Sequence, residues 1–275
     1  MPYKMVAIDV DGTLINKEFE IPSYNKEVIS KLYAEGIHFV IASGRNDVHV
    51  KKYIDELGID SLVIGCNGAQ VRDLETNETF VMEMIEKPAL KEVLDFMEEE
   101  NIIFKAFSMD TMYHTKNIDK SFLEMATKAG LHGKAENALM KQVEMTIDEI
   151  VKEDIIKVIV THDSDKAYLT EVQKKLFIME ELHIARSAET CVDMAKKGVS
   201  KGGALKVLAQ RLGLQPEEIV AIGDGENDKE MLQYAGFSVA MGNAPQELKD
   251  IADMVTGTST EAGLGKALWK IFKEQ

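Results

Sequence analysis

The chain has 275 residues, of which 45% are hydrophobic and 29% are charged. This composition is typical of a globular protein with one large domain or two smaller ones, and it excludes a disordered or collagen-like chain. The 47 acidic and 32 basic residues leave a formal net charge of −15, which repels the phosphates of nucleic acids and anionic membrane surfaces. We therefore expect neither nucleic acid nor a membrane as a partner.

Cysteine usage and the start of the chain predict a cytoplasmic protein. Cys66 and Cys191 are the two cysteines, they lie far apart, and they do not have the spacing of a metal site. The first residues lack the apolar region and cleavage site of a signal peptide. No apolar run approaches the roughly 18 residues that a membrane span needs.

Short, continuous apolar runs rich in Val and Ile predict strands that are buried on both faces of a sheet. In the first part of the chain these runs are Met5 to Val10, Ile37 to Ala42 and Leu62 to Gly65. Between the first two runs, apolar residues recur at helical spacing from Val28 to Tyr33, and Gly36 follows where such a helix would end. This segment predicts a βαβ unit with parallel strands.

The C-terminal part of the chain repeats the alternation of helix and strand. Ser200 can cap a helix that ends at Gly213, and strands are predicted at Ile219 to Ile222 and at Phe237 to Ala240. Further helices are predicted around Met231 and from Leu264 to Ile271. We therefore predict an α/β fold, a doubly wound core with a mostly parallel sheet, formed by residues 1–80 and 190–275.

Residues 81–189 do not continue the regular alternation of strand and helix, and they predict a separate α+β domain inserted into the core. The predicted elements are a helix from Leu90 to Met97, strands at Ile102 to Phe107, Thr111 to Thr115 and Ile155 to Thr161, a polar helical stretch near Phe122, and a helix from Leu169 to Leu176. Four polar residues near the predicted strand ends are expected to be exposed rather than to meet a ligand: Lys105, His114, Lys116 and Arg186.

Polar residues stand at the ends of the predicted core strands. Asp9 and Asp11 close the first strand, Ser43 follows the second, and Asp224 follows the strand that ends at Ile222. Ligands of open α/β sheets bind beyond the carboxyl ends of the strands, so we expect these side chains to converge. Carboxylates that are gathered in one place repel one another, and oxygen ligands without His or Cys suit Mg²⁺.

A carboxylate nucleophile beside Mg²⁺ predicts phosphoryl transfer through an aspartyl-phosphate. Gly12 and Gly44 would let the backbone approach a phosphate, and Ser43 would offer a hydroxyl. Lys201, near the start of a predicted helix, would supply a positive charge. Asp11 could give a proton to the leaving alcohol and later take one from water.

Four motifs in this order resemble those of the haloacid dehalogenase-like (HAD) superfamily. They are Asp9-Val10-Asp11-Gly12-Thr13-Leu14, Ala42-Ser43-Gly44-Arg45, Gly198-Val199-Ser200-Lys201-Gly202 and Gly223-Asp224-Gly225-Glu226-Asn227-Asp228. Two further segments resemble the Cof-type branch: Cys66-Asn67-Gly68-Ala69 and Ala240-Met241-Gly242-Asn243-Ala244. The resemblance implies a HAD-like Rossmannoid core with an inserted class IIB α+β cap domain, and an Mg²⁺-dependent phosphatase acting on small phosphorylated metabolites, mostly sugar phosphates.

The resemblance also implies a role for each matching residue. Asp9 would be the nucleophile and a metal ligand, Asp11 the acid/base and a ligand through its backbone carbonyl, and Asp224 a further metal ligand. The phosphate or substrate would be held by Val10 (through its amide), Gly12, Ser43, Gly44, Arg45, Lys201 and Asn227, whereas Asp228 would orient Lys201 or a metal-bound water. Where relatives often carry an Asn-Asp pair, this chain reads Thr258-Ser259-Thr260-Glu261, and that loop receives no role.

Two alternatives remain open from the sequence. A phosphotransferase or mutase would use the same chemistry but pass the phosphoryl group to a second hydroxyl. A non-catalytic sensor of phosphorylated metabolites would keep the metal site without turnover. The identity of the substrate and the oligomeric state are not encoded in any of these motifs.

Overall fold

A computed structural model describes residues 3–115, 140–162, 165–188 and 190–274. The chain divides into two compact units, one formed by Met1–Val81 with Ser200–Gln275 and the other by Met82–Val199. The second unit ends ten residues after residue 189, where the sequence placed the end of the inserted domain. The reason is that a strand at Cys191–Lys196 pairs with two strands of the second unit, so the chain returns to the first unit only at Ser200.

The elements of the described residues are numbered here in chain order. The strands are β1 Met5–Asp9, β2 His38–Ala42, β3 Ser61–Gly65, β4 Gln70–Asp73, β5 Thr79–Met82, β6 Lys105–Phe107, β7 Thr111–His114, β8 Lys141–Glu144, β9 Lys157–Thr161, β10 Leu182–Ala188, β11 Cys191–Lys196, β12 Ile219–Gly223, β13 Phe237–Ala240 and β14 Met254–Val255. The α-helices are α1 Ser23–Ala34, α2 Asp47–Leu57, α3 Lys87–Glu99, α4 Ile147–Ile150, α5 Lys166–Leu176, α6 Lys201–Arg211, α7 Lys229–Tyr234, α8 Gln246–Ile251 and α9 Gly263–Lys273.

The first unit is built on a sheet with the strand order β14-β13-β12-β1-β2-β3-β4-β5. From β14 to β3 every neighbouring pair is parallel, and β4 joins β3 in the antiparallel direction. Apolar clusters lie on both faces of this sheet: one joins Val6 and Ile8 to α1, α2 and α9, and the other joins Met5 and Ala7 to α6, α7 and α8. The prediction of a doubly wound, mostly parallel α/β core is confirmed.

Some core elements were not predicted from the sequence. Asn46 caps the start of helix α2, where its side chain accepts a hydrogen bond from the backbone N–H of Val48, and Gly58 follows the last residue of the helix in the left-handed conformation. Strands β4 and β5 are short and only partly buried, so their sequences lack the continuous apolar runs that marked β1, β2 and β12.

The second unit contains a mixed sheet with the order β10-β11-β9-β6-β7-β8. Its apolar cluster joins α3 and α5 to one face of that sheet, through residues such as Leu94, Leu169 and Val160. The predicted helices in α3 and α5 are present, whereas β10 and β11 were not predicted. Lys116 and the predicted helical stretch near Phe122 lie outside the described residues.

Lys105 differs from the expectation that it is exposed. It is only 1% exposed, and its ammonium group donates a hydrogen bond of 2.6 Å to the Thr161 hydroxyl. His114 and Arg186 are partly buried, and Arg186 donates a hydrogen bond to Thr170. Within the described ranges, no helix is both long enough and apolar enough to cross a membrane.

One buried amide joins the first and last helices of the first unit. Asn25 in α1 is fully buried, and its Oδ1 accepts a hydrogen bond of 2.8 Å from the backbone N–H of Gly265 in the first turn of α9. The first N–H groups of a helix have no partner within the helix, so this side chain satisfies a donor that the fold buries.

We predict that Asn25→Ala lowers the free energy of unfolding by about 1–3 kcal/mol, because it leaves the Gly265 N–H unpaired inside the protein. Chemical denaturation monitored by circular dichroism measures the change. The control is Lys26→Ala, which removes only an exposed ion pair with Glu56 and should cost less than about 0.5 kcal/mol. Equal losses in the two variants would contradict the capping role of Asn25.

Candidate active site

Lys201 joins two carboxylates at the carboxyl edge of the parallel sheet. Its Nζ lies 2.6 Å from Oδ1 of Asp9, the last residue of β1, and 2.6 Å from Oδ1 of Asp228. Lys201 is the first residue of α6, and Ser200 caps that helix by accepting a hydrogen bond from the N–H of Gly203. Lys201 and Asp228 are fully buried and Asp9 is 6% exposed, so these charges have little access to water.

Asp228 also fixes the turn that follows β12. Its Oδ2 accepts hydrogen bonds of 2.9 Å from the backbone N–H groups of Asp224 and Gly225. A Cβ atom at Gly223 would come within 2.5 Å of the Asp228 carboxyl carbon, so this approach requires glycine. Asp228 therefore anchors both Lys201 and the backbone that carries Asp224.

The Asp224 carboxylate is held by two side chains. The Thr13 hydroxyl donates to Oδ1 at 3.0 Å, and Nδ2 of Asn243 donates to Oδ2 at 2.8 Å. Gly12 comes so close that a Cβ there would lie 2.4 Å from Oδ2 of Asp224, and its φ of +84° is one that glycine adopts readily. The segment after β1 and the segment after β12 thus meet at Asp224.

The pKa values in this cluster reflect burial first and crowded negative charge second. Burial and the neighbouring Asp228 carboxylate raise the pKa of Asp224 to about 6. Burial, together with Asp228 and Asp224, raises the pKa of Asp9 well above its usual range, although Lys201 opposes this shift. Burial alone would lower the pKa of Lys201, but Asp228 and Asp9 raise it above its usual range.

The residues fit a hard divalent cation. Asp9, Asp224 and Asp228 each offer a carboxylate oxygen, and these oxygens lie within 4.8 Å of one another. The donors are all oxygen, as Mg²⁺ and Ca²⁺ prefer. A bound cation would also relieve the repulsion that raises the pKa values of Asp9 and Asp224.

Asp11 lies outside this carboxylate cluster and is paired with Arg45. Nε and Nη2 of Arg45 donate to the two Asp11 oxygens at 2.8 and 2.5 Å. The Asp11 side chain is 41% exposed and that of Arg45 is 11% exposed. The structure therefore gives the Arg45 guanidinium a definite partner, the carboxylate of Asp11, that the sequence had not indicated.

The other predicted phosphate-binding residues border the same edge of the sheet. Ser43 is fully buried and its hydroxyl accepts a hydrogen bond from the N–H of Arg45. The Val10 side chain is buried in the apolar core, which leaves its backbone for any ligand. Gly44 lies between Ser43 and Arg45 and is half-buried.

Asn67 was not assigned a role from its motif, but it contacts a predicted site residue. Nδ2 of Asn227 donates to Oδ1 of Asn67 at 2.8 Å, and Asn67 is buried with a φ of +56°. The next residue, Gly68, packs so tightly that a Cβ would lie 2.2 Å from the carbonyl oxygen of Ser200. The pair Asn67-Gly68 was the available signal in the sequence, since Asn and Gly tolerate the positive φ that such a turn requires.

We predict that the metal-free protein loses stability as the pH rises from about 4 to about 6. A carboxyl with a raised pKa in the folded state binds its proton more tightly there than in the unfolded chain, so deprotonation costs stability. For Asp224, whose pKa rises from 3.8 to about 6, the resulting loss in the free energy of unfolding is about 3 kcal/mol. Melting temperatures measured in EDTA across this range test the effect. Asp224→Asn should flatten the slope, and an unchanged slope in that variant would refute the assignment.

Three comparisons relate the chain to known proteins. A family model described as haloacid dehalogenase-like hydrolase matches residues 6–268. The phosphatase YwpJ of Bacillus subtilis (strain 168) is 31% identical over 95% of this chain and 97% of its own. The 5-amino-6-(5-phospho-D-ribitylamino)uracil phosphatase YcsE of the same organism is 27% identical over 96% of this chain and 94% of its own.

A solved structure is similar along almost the whole length of the chain. The HAD subclass IIB sugar phosphatase BT4131 is similar with a TM-score of 0.81 and 25% identity, covering 98% of each chain. Together with the converging carboxylates of the first unit, these relationships establish that the chain belongs to the haloacid dehalogenase-like hydrolases and is a phosphatase of the Cof type.

Proposed function

We propose that this phosphatase is a cytoplasmic, Mg²⁺-dependent enzyme that hydrolyses monoesters of small phosphorylated metabolites, chiefly sugar phosphates, through an aspartyl-phosphate on Asp9. The observation that carries the proposal is the buried convergence of Asp9, Asp224 and Asp228 beside Lys201. The chain has two cysteines, Cys66 and Cys191, which lie far apart in the sequence, and this low cysteine content suits a reducing compartment. The acidic net charge disfavours nucleic acid as a substrate.

Asp9, Asp224 and Asp228, with the backbone carbonyl of Asp11, are the proposed ligands of Mg²⁺. When bound, Mg²⁺ would withdraw negative charge from the phosphoryl oxygens, which otherwise repel an anionic nucleophile. Asp228 has a second role, because its Oδ1 accepts a hydrogen bond of 2.6 Å from the ammonium group of Lys201. The positive charge of Lys201 favours the binding of an anion at the start of α6.

In the first step, a carboxylate oxygen of Asp9 attacks phosphorus while the bond between phosphorus and the leaving alcohol oxygen breaks. Lys201 fixes the orientation of the Asp9 carboxylate by its contact with Oδ1. Asp11 supplies the proton that the leaving oxygen needs. The products of this step are the free alcohol and a phosphorylated Asp9.

In the second step, water attacks phosphorus and Asp11 accepts the proton that the water gives up. The bond between phosphorus and the Asp9 oxygen breaks, which releases inorganic phosphate and restores the carboxylate. Arg45 donates two hydrogen bonds to the Asp11 carboxyl group, and these contacts fix its orientation for the transfer of that proton. We propose that the phosphate is held by Ser43, Gly44, Arg45, Lys201 and Asn227, with backbone contacts from Val10 and Gly12.

The names of the relatives support the substrate class. The solved relative is a sugar phosphatase, and the substrate of the YcsE phosphatase carries its phosphate on a ribityl chain. Both descriptions indicate a phosphate ester on a small polyhydroxylated carbon chain. A phosphotransferase would use the same residues and differ only in whether water or a second hydroxyl takes the phosphoryl group.

We predict that Asp9→Asn lowers phosphate release by about 10³-fold or more, because an amide cannot replace the carboxylate nucleophile. The measurement is phosphate release from a panel of sugar phosphates, nucleotides and p-nitrophenyl phosphate, with Mg²⁺ or with EDTA. EDTA should abolish release by the wild type.

The matched control is Asp55→Asn, which changes an exposed residue of α2 paired with Lys51 and should leave the rate unchanged. Normal turnover by Asp9→Asn would contradict the proposed nucleophile. Absence of phosphate release from every ester in the wild type, together with transfer of the phosphoryl group to an added alcohol, would favour a phosphotransferase. Binding without any turnover would favour a sensor.

A further inference from the structure

Asn243 occupies a junction between three segments of the first unit. Its Nδ2 donates to Oδ2 of Asp224 at 2.8 Å and to the carbonyl oxygen of Gly12 at 2.9 Å. Its Oδ1 accepts a hydrogen bond of 3.0 Å from the N–H of Ser259. The side chain thus connects the turn after β1, the turn after β12 and the loop before α9.

The chemistry of these partners fixes the orientation of the Asn243 amide. Gly12 and Asp224 present oxygen atoms that can only accept, and Ser259 presents an N–H that can only donate. If the amide were rotated by 180°, all three contacts would become repulsive. The two hydrogens of Nδ2 therefore point to the oxygens of Gly12 and Asp224.

The loop that had received no role from its sequence supplies the fixed donor. Thr258 and Glu261 form a capping box, with Oε2 of Glu261 accepting from the N–H and the hydroxyl of Thr258 at 2.9 and 2.8 Å. Ser259 is 5% exposed and begins a short 3₁₀ helix, Ser259–Glu261. The loop is also tied to Asn243 through its neighbour Gly242, whose N–H donates to the carbonyl of Gly257 at 3.0 Å.

We propose that Asn243, acting together with Thr13, is a positioning residue that fixes the Asp224 carboxylate for divalent cation binding. This inference rests on the proposed function, in which Asp224 is a metal ligand. Thr13 holds Oδ1 and Asn243 holds Oδ2, so rotation of the carboxylate breaks at least one hydrogen bond. Groups that orient a metal ligand commonly change metal affinity by about 10- to 100-fold when they are removed.

The exposure of Asn243 separates this role from a purely structural one. Asn243 lies at the surface, where water can replace its hydrogen bonds to Gly12 and Asp224, whereas the buried N–H of Ser259 loses its acceptor. We therefore expect Asn243→Ala to lower the melting temperature in EDTA by only about 2–4 °C, and to lose cation affinity.

The test is calorimetric titration of the purified full chain with MgCl₂. We expect the dissociation constant for Mg²⁺ to rise about 10-fold or more in Asn243→Ala and in Thr13→Val. The second variant keeps the side-chain shape and serves if the first does not fold. Phosphatase activity supplies a further readout: raising the Mg²⁺ concentration should restore most of the activity that Asn243→Ala loses, whereas a structural defect would persist at every Mg²⁺ concentration.

Lys249→Ala is the matched control, because Lys249 donates to the carbonyl of Gly242 at 2.7 Å without contacting Asp224. It should leave the Mg²⁺ affinity within about twofold of the wild type. Wild-type affinity in Asn243→Ala, alongside weak binding by Asp224→Ala, would overturn this inference alone. Absence of Mg²⁺ binding by the wild type would overturn the proposed metal dependence as well.

Discussion

The first unit is organised around the confinement of three carboxylates, Asp9, Asp224 and Asp228, within 4.8 Å of one another at the carboxyl edge of its sheet. Like charges at such distances are unfavourable when they are buried. The ammonium group of Lys201 compensates part of this repulsion, while burial and the remaining repulsion raise the pKa values of Asp9 and Asp224. In our account, a divalent cation bound here would relieve that repulsion, and its charge would favour the phosphoryl group that it accompanies.

The three carboxylates can lie so close together only because the backbone of neighbouring loops also comes close to them. Strands β1 and β12 are parallel neighbours with Ile8 beside Ile222, so the turns that follow them emerge side by side. Gly12 and Gly223 then allow a backbone to lie against a carboxylate where a Cβ would come within about 2.5 Å of it. Gly68 does the same beside the carbonyl of Ser200. These glycines let separate loops pack closely against one another, and this packing sets the distances between the charged side chains.

Much of the fold could be predicted because its central strands are buried on both faces and read as continuous apolar runs. Strand β13 has the predicted limits, and β1, β2 and β12 differ from prediction by a residue at an end. Strands β10 and β11 could not be recognised in the same way, since polar residues such as His183 and Asp193 interrupt them. In the site, the motifs indicated which residue types converge. They did not indicate the pairing of Arg45 with Asp11 or the contacts of Asn243, because these depend on loops that are distant in sequence and are joined by the fold.

The central claim is that Asp9 carries the phosphoryl group during turnover, and chemical trapping tests it most directly. A ³²P-labelled sugar phosphate is mixed with the wild-type enzyme and Mg²⁺, quenched in acid within the first turnover, and the protein is digested and mapped by mass spectrometry. The account predicts label on the peptide that contains Asp9, in a bond cleaved by hydroxylamine. Label on another residue, or turnover without any labelled protein, would contradict it.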